Sequence, residues 1–511
     1  MTDWTAGYVA DIGYTYGSYA ELNPQWANLA FAAAGLATPE MATVCELGFG
    51  QGVGVNIHAA AQANRQYWAT DFIPAQAAFA QSLAKASGSG AHLFDQSFAE
   101  FGARDDLPEF DFIGLHGIWS WISDDNRREI VSFLRRRLKV GGILYLSYNT
   151  LPGWAALMPL RHLMTQHAEA MTGPGQGIPG RVGAALEFAD RLFATQPSYA
   201  RDNVKAVEQL ASLKDHSHNY LAHEYFNRDW HPMYFSDVAD WLAPAKLNYA
   251  CSATYHDHVD TFNLTIQQQE MLKSIDDVTH RETVRDFMVN QTFRRDYWVK
   301  GARKMTPFEQ ADALRSQRVM LLTTRSEVVL KKKVALGEVT MDEAIFVPVL
   351  DLLADHRPRS IGELAESLQD KMNFSQLLQT MMVLTGKGDV GPVQADEMCA
   401  ASQASTRKLN AALMSRARGS DEITYLASPV SGGGVPLTRI QQLFLLALSQ
   451  GQEAPGDWAK FAWETLRGVG QRLRKNGQLL ETSEENLSEL VDQAQRFADQ
   501  RLPALRVLQV I

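Results

Sequence analysis

"CELGFGQGVG", residues 45–54, is the stretch that decides the fold. Four glycines occupy every second position from Gly48 to Gly54, and an acidic residue, Glu46, precedes them. Glycine permits tight turns and close approach of another group to the backbone. The flanking runs "ATVCELGF" and "GVNIHAAAQA" read as a buried strand and a helix. The stretch therefore predicts a strand–loop–helix unit whose loop lies against a ligand.

Strand and helix patterns alternate along the first 150 residues, which predicts a mostly parallel sheet with helices on both faces. The other predicted strands in this part are "RQYWATDF", "AHLFDQS", "FDFIGLHG" and "GGILYLSYN". Two later strands, within "LNYACSATY" and "TFNLTI", are expected to complete the sheet. The predicted fold class is α/β, a Rossmann-like, doubly wound, seven-stranded sheet with a helical insertion and a mostly helical C-terminal region.

The chain divides into five predicted segments. Residues 1–160 form a ligand-binding core with a tyrosine-rich N-terminal lid, and 161–235 a helical insertion that covers the site. Residues 236–270 complete the core sheet, 271–340 form a helical middle region, and 341–511 a helical, winged-helix-like domain. A length of 511 residues agrees with several domains rather than one.

Composition narrows the classes of partner. The net charge is −10, so the chain repels nucleic acid and anionic membrane surfaces and attracts cationic partners such as a lysine-rich protein segment. The three cysteines form no C-x-x-C pair, which argues against zinc and redox motifs. The first residues do not resemble a signal peptide, and no apolar run approaches the ~20 residues of a membrane span. We therefore expect a cytoplasmic protein.

The glycine loop does not match the common phosphate-binding motifs. A phosphate loop needs G-x-x-x-x-G-K-[ST], and the only Gly-Lys pair, at Gly386, lacks the Ser or Thr. The dinucleotide fingerprint G-x-G-x-x-G fails in every frame that starts at Gly48, Gly50 or Gly52. The remaining pattern is acidic-x-Gly-x-Gly-x-Gly, from Glu46 to Gly52.

A carboxylate at the strand end suits a cofactor with a cationic part. S-adenosyl-L-methionine carries an ammonium and a sulfonium group and no phosphate. Asp71 follows the second strand, where it can take the ribose hydroxyls, and Asp95 follows the third, where it could reach the adenine edge. The predicted cofactor-binding residues are Glu46, Gly48, Gly50, Gly52, Asp71 and Asp95. A tight turn in an ordinary α/β domain and a nicotinamide-binding variant remain open.

Several longer motifs carry a family resemblance. They are "ELGFGQG", "YWATDFIPAQ", "FDFIGLHGIWSWIS" and "GGILYLSYNTLPGW", joined by Glu-Leu-x-Pro within Tyr19–Pro24 and by His223-Glu224-Tyr225. Together these resemble class I S-adenosylmethionine-dependent methyltransferases of the bacterial subgroup with a methyltransferase regulatory domain. The resemblance covers about residues 8 to 300. The subgroup includes protein-lysine methyltransferases that act on outer-membrane proteins, so the resemblance implies methyl transfer to protein lysine, with S-adenosyl-L-homocysteine as the product.

The same motifs supply predicted acceptor-side residues. His116, which closes the fourth strand, could orient the acceptor, accept its proton and touch the cofactor, or it could only anchor the loop. Tyr148 and Asn149 end the fifth strand and complete the predicted catalytic set. Tyr16 and Tyr19 are predicted as a lid over the cofactor, with simple packing as the alternative. Aromatic walls for a methylammonium are expected from Trp119, Trp121, Trp154, Tyr225 and the N-terminal tyrosines, which include Tyr8 and Tyr14.

Two other functions stay open. One is methylation of a small molecule or saccharide, and the other is a non-catalytic regulator that binds DNA or protein through the C-terminal domain. The predicted recognition helix of that domain has one basic residue, Lys387, which disfavours DNA. The histidines of "DHSHNYLAHEYFNRDWH" lack a metal-binding spacing, so no metal is predicted. We expect a protein substrate as the partner, and a homodimer is kept open.

Overall fold

The computed structural model describes residues 15–171, 173 and 177–511. Tyr8 and Tyr14 therefore lie outside the described residues. A seven-stranded sheet forms the core of the first 300 residues, with strand order β3-β2-β1-β4-β5-β7-β6. Its strands are β1 (Thr43–Leu47), β2 (Gln66–Thr70), β3 (His92–Phe94), β4 (Phe110–Leu115), β5 (Leu138–Asn149), β6 (Asn248–Ser252) and β7 (Phe293–Val299).

The first five strands run parallel, and β7 pairs antiparallel with both β5 and β6. The helices that connect and flank them are α1 (Pro24–Ala33), α2 (Val53–Ala61), α3 (Pro74–Ser87), α4 (Phe98–Gly102) and α5 (Asp124–Arg137). The predicted α/β, mostly parallel, seven-stranded fold is confirmed. The carboxyl ends of β1, β2 and β4 consequently meet at one edge of the sheet, where such folds bind ligands.

A helical insertion separates β5 from β6, as predicted. It comprises α6 (Leu151–Trp154), α7 (Met158–Ala170), α8 (Ile178–Ala194), α9 (Ser198–Asp202), α10 (Val204–Leu213), α11 (His218–Tyr225) and α12 (Phe235–Leu242). A small apolar core of its own holds α7, α8, α10 and α11 together. An isolated bridge between Thr150 and Met233 closes the insertion next to the end of β5.

The prediction for the last strand of the sheet was wrong. The "TFNLTI" stretch is not a strand, because its first residues belong to a short helix, α13 (Asp260–Asn263), which α14 (Ile266–Lys273) and α15 (Val278–Val289) follow. The last strand is β7, inside the 271–340 region predicted to be helical. Its charged residues Arg294 and Asp296 are buried and paired with each other, so its sequence lacks the expected apolar pattern.

The C-terminal region is mostly helical, as predicted. Its helices are α16 (Pro307–Ser316), α17 (Glu343–Leu352), α18 (Ile361–Ser367), α19 (Phe374–Lys387), α20 (Asp396–Arg416), α21 (Arg439–Ser449), α22 (Pro455–Gly468), α23 (Ser483–Arg496) and α24 (Leu502–Val507). Its short strands are β8 (Arg318–Leu321), β9 (Lys331–Val334), β10 (Gly337–Thr340), β11 (Arg359–Ser360), β12 (Val390–Pro392), β13 (Tyr425–Ser428), β14 (Gly433–Pro436), β15 (Arg474–Lys475) and β16 (Gln478–Leu479). Helices α17, α18 and α19 with the sheet β11-β8-β12 give the winged-helix-like arrangement.

The C-terminal region packs directly on the core. All nine residues of α2 are buried, and one apolar cluster joins Val53, Ile57 and Ala60 of α2 to α20, α21 and α22. Gln62 donates a hydrogen bond of 2.8 Å to the carbonyl of Gly432. None of the helices in the described part of the chain is long and apolar enough to cross a membrane.

Candidate active site

The glycine loop turns sharply over the end of β1. Gly48, Gly50 and Gly52 all have positive φ, at 78°, 57° and 69°. A Cβ atom on Gly48 would lie 2.4 Å from Cδ1 of Ile118, and one on Gly52 would lie 2.4 Å from Cβ of Ala80. Both positions therefore require glycine for conformation and for space. Gly48 and Gly50 line a cavity, whereas Gly52, also predicted to bind the cofactor, faces Ala80 of α3 and does not line it.

Asp71 fixes the loop from the neighbouring strand. Its Oδ2 accepts a hydrogen bond of 2.8 Å from the amide of Gly50, and its Oδ1 accepts one of 3.1 Å from Ile73. With its amide oriented to satisfy its neighbours, Gln76 donates to Asp71 Oδ1 and to the Gly50 carbonyl, each at 3.3 Å. Oδ2 of Asp71 therefore keeps a lone pair for a hydroxyl donor in the cavity.

Glu46 lies beside Asp71 with no hydrogen-bond donor among the described residues. Burial and the nearby Asp71 raise the pKa of Glu46 to about 8, and burial raises the pKa of Asp71 to about 6 despite its two backbone donors. A buried carboxyl without a partner is costly unless a cation or donor meets it. The pair therefore fits a ligand that brings an ammonium group and hydroxyl groups, and does not fit a phosphate.

The cavity itself encloses about 1350 Å³, including its open mouth. Glu46, Asp71, Tyr19, His116 and Trp121 all line it. Asp95 does not, because β3 ends at Phe94 and the Asp95 side chain is exposed. The wall predicted for Asp95 is formed instead by Gln96, Ser97 and Phe98.

His116 and Tyr19 form the opposite end of the cavity. Their rings stack with centroids 3.6 Å apart, and His116 Nδ1 lies 2.7 Å from the hydroxyl of Tyr145. Burial, assisted by Arg295, lowers the pKa of His116 to about 3. The imidazole is therefore uncharged at neutral pH and is a weak base. Tyr16, by contrast, packs edge-on against Phe79, with centroids 5.4 Å apart, and does not line the cavity.

Two residues predicted at the site belong to the core. Tyr148 is fully buried and donates a hydrogen bond of 2.9 Å to Asp296, and Trp119 is fully buried against Trp241. The pleat of β5 explains the first result, because side chains alternate between the two faces of a sheet. Tyr145 lies on the opposite face of β5 from Tyr148, and there it contacts His116.

Asn149 is buried at the end of β5, and among the described residues none pairs with its Nδ2. It follows Ser147 on the same face, and the Ser147 hydroxyl accepts a hydrogen bond of 2.8 Å from Gly117, beside His116. Of the two residues of β5 that were predicted to be catalytic, Asn149 therefore has an available hydrogen-bond donor, its Nδ2, whereas Tyr148 does not. Its side chain does not line the cavity.

Trp154 and Tyr225 come together in the insertion, next to Trp230. The Trp154 ring meets Tyr225 and Trp230 with centroid distances of 5.9 Å and 5.2 Å. Trp154 also donates a hydrogen bond of 2.8 Å to the carbonyl of Thr292, adjacent to Phe293, whose ring meets His116 at 6.0 Å. These contacts connect the insertion to the His116 end of the site.

Glu224, which lies in a quoted motif, is a further candidate site residue that sequence reasoning did not single out, although it does not line the cavity. Burial raises its pKa to about 7, and no ion pair joins it to any residue in the described ranges. Its charge in turn raises the pKa of Tyr19 and of Tyr225, so it lies within electrostatic range of both. A carboxyl directly before Tyr225 in "HEY" was the available signal. Gln76 and Asp229, which line the cavity, had none.

Comparisons with known proteins agree with this geometry. The family model described as "Methyltransferase domain" matches residues 46–146, and "Predicted methyltransferase regulatory domain" matches residues 217–300. The uncharacterized protein sll1526 of Synechocystis is 39% identical over 510 residues, which is 99% of each chain. The uncharacterized protein RP789 of Rickettsia prowazekii is 27% identical over 294 residues, 56% of this chain and 51% of that one.

A solved structure shares the whole fold. PKMT2 from Rickettsia typhi, determined in complex with AdoHcy, superposes with a TM-score of 0.67. The alignment covers 98% of this chain and 99% of that chain at 18% sequence identity. The core, the insertion and the C-terminal region therefore occur together in another protein.

Proposed function

We propose that this chain, which belongs to the class I S-adenosylmethionine-dependent methyltransferases with a predicted methyltransferase regulatory domain, methylates lysine side chains of a protein. Its cofactor is S-adenosyl-L-methionine, and Glu46 and Asp71 fit that cofactor's ammonium and ribose groups. The observation that carries the lysine assignment is the aromatic group of Trp154, Tyr225 and Trp230, with rings 5.9 Å and 5.2 Å from that of Trp154, beside the carboxyl of Glu224 in α11.

An acceptor lysine must lose a proton before it can react. Bound S-adenosylmethionine supplies an electrophilic methyl group, and the acceptor nitrogen must present a free lone pair to it. An ordinary lysine has a pKa near ~10.4, so its neutral amine at pH 7 costs about 4–5 kcal/mol. Aromatic walls lower this cost through desolvation and hold the ammonium by cation–π attraction. Trp154, Tyr225, Trp230 and Tyr19 offer such walls.

Glu224 suits the proton transfer better than His116 does. A general base works best when its pKa lies near the operating pH. The pKa of Glu224 is raised to about 7, whereas that of His116 is lowered to about 3. We assign Glu224 the attraction of the ammonium and the removal of its proton. His116, held by Tyr19 and Tyr145, orients the acceptor.

The size of the chain outside the core supports a protein acceptor over a small molecule. Binding of DNA is disfavoured, because Lys387, the basic residue of α19, is paired with Asp389 at 2.7 Å. We keep the cytoplasm as the predicted location, and the homodimer stays a prediction.

The test uses the full chain, tritiated S-adenosylmethionine and a bacterial lysate, with methyl-lysine identified in acid hydrolysates of the labelled protein. We expect label in lysine, lost with Glu224→Gln and retained with Glu208→Gln, an exposed glutamate of the same insertion. Label confined to metabolites or saccharides would contradict the lysine assignment. Binding of the cofactor without any transfer would favour the regulator.

A further inference from the structure

A second polar cavity lies on the far side of β7, away from the glycine loop. It encloses about 670 Å³, including its mouth, between β6, β7 and α15. The residues around it include Tyr249, Asp257, His258, Glu282, Arg285, Asp286, Arg294, Arg295 and Asp296. All of them fall inside residues 217–300, the segment that the regulatory-domain model matches. The methyl-transfer chemistry uses none of its carboxyl groups.

The lining of this cavity carries more negative than positive charge. Four carboxyl groups, those of Asp257, Glu282, Asp286 and Asp296, face three guanidinium groups. Two of the three are paired with carboxylates outside the lining, since Arg285 binds Asp260 at 2.5 Å and Arg295 binds Glu21 at 3.2 Å. Arg294 forms ion pairs with Glu282, Asp286 and Asp296, and Asp257 lies within electrostatic range of Arg285.

Arg294 binds three of the four carboxylates. Its Nε and Nη2 bind the two oxygens of Asp296 at 2.8 and 3.1 Å, Nη2 also binds Glu282 at 3.0 Å, and Nη1 binds Asp286 Oδ1 at 2.7 Å. The hydroxyl of Tyr148 adds a second donor to Asp296. Asp296 is thus satisfied, whereas Glu282 and Asp286 each depend on a single bond from Arg294.

Asp286 is the exception that points to a ligand. The residue is 2% exposed, and among the residues in the described ranges none donates a hydrogen bond to its Oδ2. Burial raises the pKa of Asp286 to about 7, although Arg294 lowers it. A buried carboxylate oxygen without a donor is costly, and the cost falls if a bound cation donates to it.

The described acids do not converge as a metal site would require. No group of three or more His, Cys, Asp or Glu residues within the described part of the chain is placed to hold a metal ion. Arg294 lies among the carboxylates and prevents them from closing around a point charge. Tyr249 adds an aromatic surface, with its ring 5.6 Å from the Arg294 guanidinium. An organic ammonium group, which has several directed donors, suits such a lining.

We propose that the cavity between β6, β7 and α15 is a second ligand site that binds a small organic cation through its ammonium group. Asp286 Oδ2 and Glu282 accept its hydrogen bonds, and the excess of carboxylates supplies the attraction. The site is separate from the cavity at the glycine loop, because the two cavities share no lining residue.

The test is calorimetric titration of the full chain with diaminobutane, beside potassium chloride at matched ionic strength. We expect diaminobutane to bind and potassium not to bind. Glu282→Gln and Asp286→Asn should each weaken binding by about tenfold or more, as loss of a charged hydrogen bond does. Asp276→Asn, an exposed acid just before α15, should leave binding unchanged and is the matched control. Melting curves of all variants report whether each remains folded.

A diamine also resembles a lysine side chain, so Glu224→Gln is titrated in parallel. Binding that survives Glu224→Gln and is lost with Glu282→Gln supports the second site, whether or not the chain methylates lysine. Binding lost only with Glu224→Gln would overturn it. Equal binding of potassium, or no binding of diaminobutane to the folded wild type, would also overturn it.

Discussion

The imidazole of His116 lies almost parallel to the phenol ring of Tyr19, at an interplanar angle of 22° and a centroid distance of 3.6 Å. Tyr19 precedes α1, and His116 follows β4, so the stack joins the N-terminal segment to the sheet edge that carries the cavity. Of the two tyrosines predicted to form a lid, Tyr19 is therefore held at the cavity by this contact.

The stack predicts different roles for the two tyrosines. Tyr19→Leu should lower turnover by about 100-fold, because misplacement of a group at the acceptor end disturbs the reactive geometry. Tyr16→Leu should have little effect on turnover, since Tyr16 contacts Phe79 instead. Steady-state rates with a saturating acceptor measure both. Equal losses in the two variants would refute a specific role for Tyr19.

His116→Ala should reduce turnover while cofactor affinity stays close to that of the wild type. The imidazole contacts Tyr19 and Tyr145, and both contacts lie at the acceptor end of the cavity. Tyr148→Phe is the matched comparison, because sequence reasoning assigned both residues to catalysis. It should retain turnover and lower the free energy of unfolding by about 1–2 kcal/mol, through loss of the bond to Asp296. Full activity of His116→Ala would make His116 structural.

Asp71→Asn should weaken binding of S-adenosylmethionine by about 10- to 100-fold. A charged hydrogen bond contributes about 1.5–3 kcal/mol, and the variant also weakens the bond from Gly50 that shapes the loop. Asp95→Asn serves as the control, since the exposed Asp95 follows the neighbouring strand without lining the cavity. Calorimetric titration distinguishes them. Weaker binding of S-adenosylmethionine by Asp95→Asn would instead support the predicted contact between Asp95 and the adenine.

Affinity for S-adenosylmethionine should rise with pH between about 6 and 8. The pKa of Glu46 is raised to about 8, so its carboxyl is mostly protonated below that pH and must lose the proton to meet an ammonium group. Linkage then gives up to about a tenfold gain in affinity per pH unit below the pKa. Above pH 8 the gain ends, because the ligand's own α-amino group loses its charge near ~7.7–8.0.

Glu46→Gln should bind S-adenosylmethionine more weakly, and its affinity should not rise with pH between about 6 and 8. The same pKa shifts act on folding with the opposite sign. A carboxyl whose pKa is raised by folding contributes fully to the stability of the free protein when the pH is below the pKa of that carboxyl in the unfolded chain. This contribution is lost as the pH rises through about 6 for Asp71 and about 8 for Glu46. A slope that persists in Glu46→Gln would assign the titration to another group.

The sequence allowed prediction of what depends on local chemistry. The spacing of Gly48, Gly50 and Gly52 after an acidic residue predicted the loop, since each glycine has a positive φ that other residues avoid. The alternation of strands and helices predicted the five parallel strands. Asp71 was found because its distance from the glycines is typical of a ribose-binding acid in such folds.

Contacts between distant segments could not be predicted. β7 was missed because Arg294 is stabilised by Glu282, Asp286 and Asp296, and such compensation of buried charge is invisible in a local pattern. Tyr148 and Trp119 were assigned to the site because they belong to the motifs that end β5 and follow β4. The pleat of β5 and the packing of Trp241 send their side chains into the core.

The placement of α2 makes the molecule one cooperative unit. The helix that begins at the cofactor loop is buried on all sides, with its outer face covered by the C-terminal region. Heating should therefore produce a single calorimetric transition for core and C-terminal region, and cofactor should raise its midpoint as a whole. A chain that ends near residue 300 would expose Val53, Ile57 and Ala60 to water, so we expect the catalytic half to be unstable on its own.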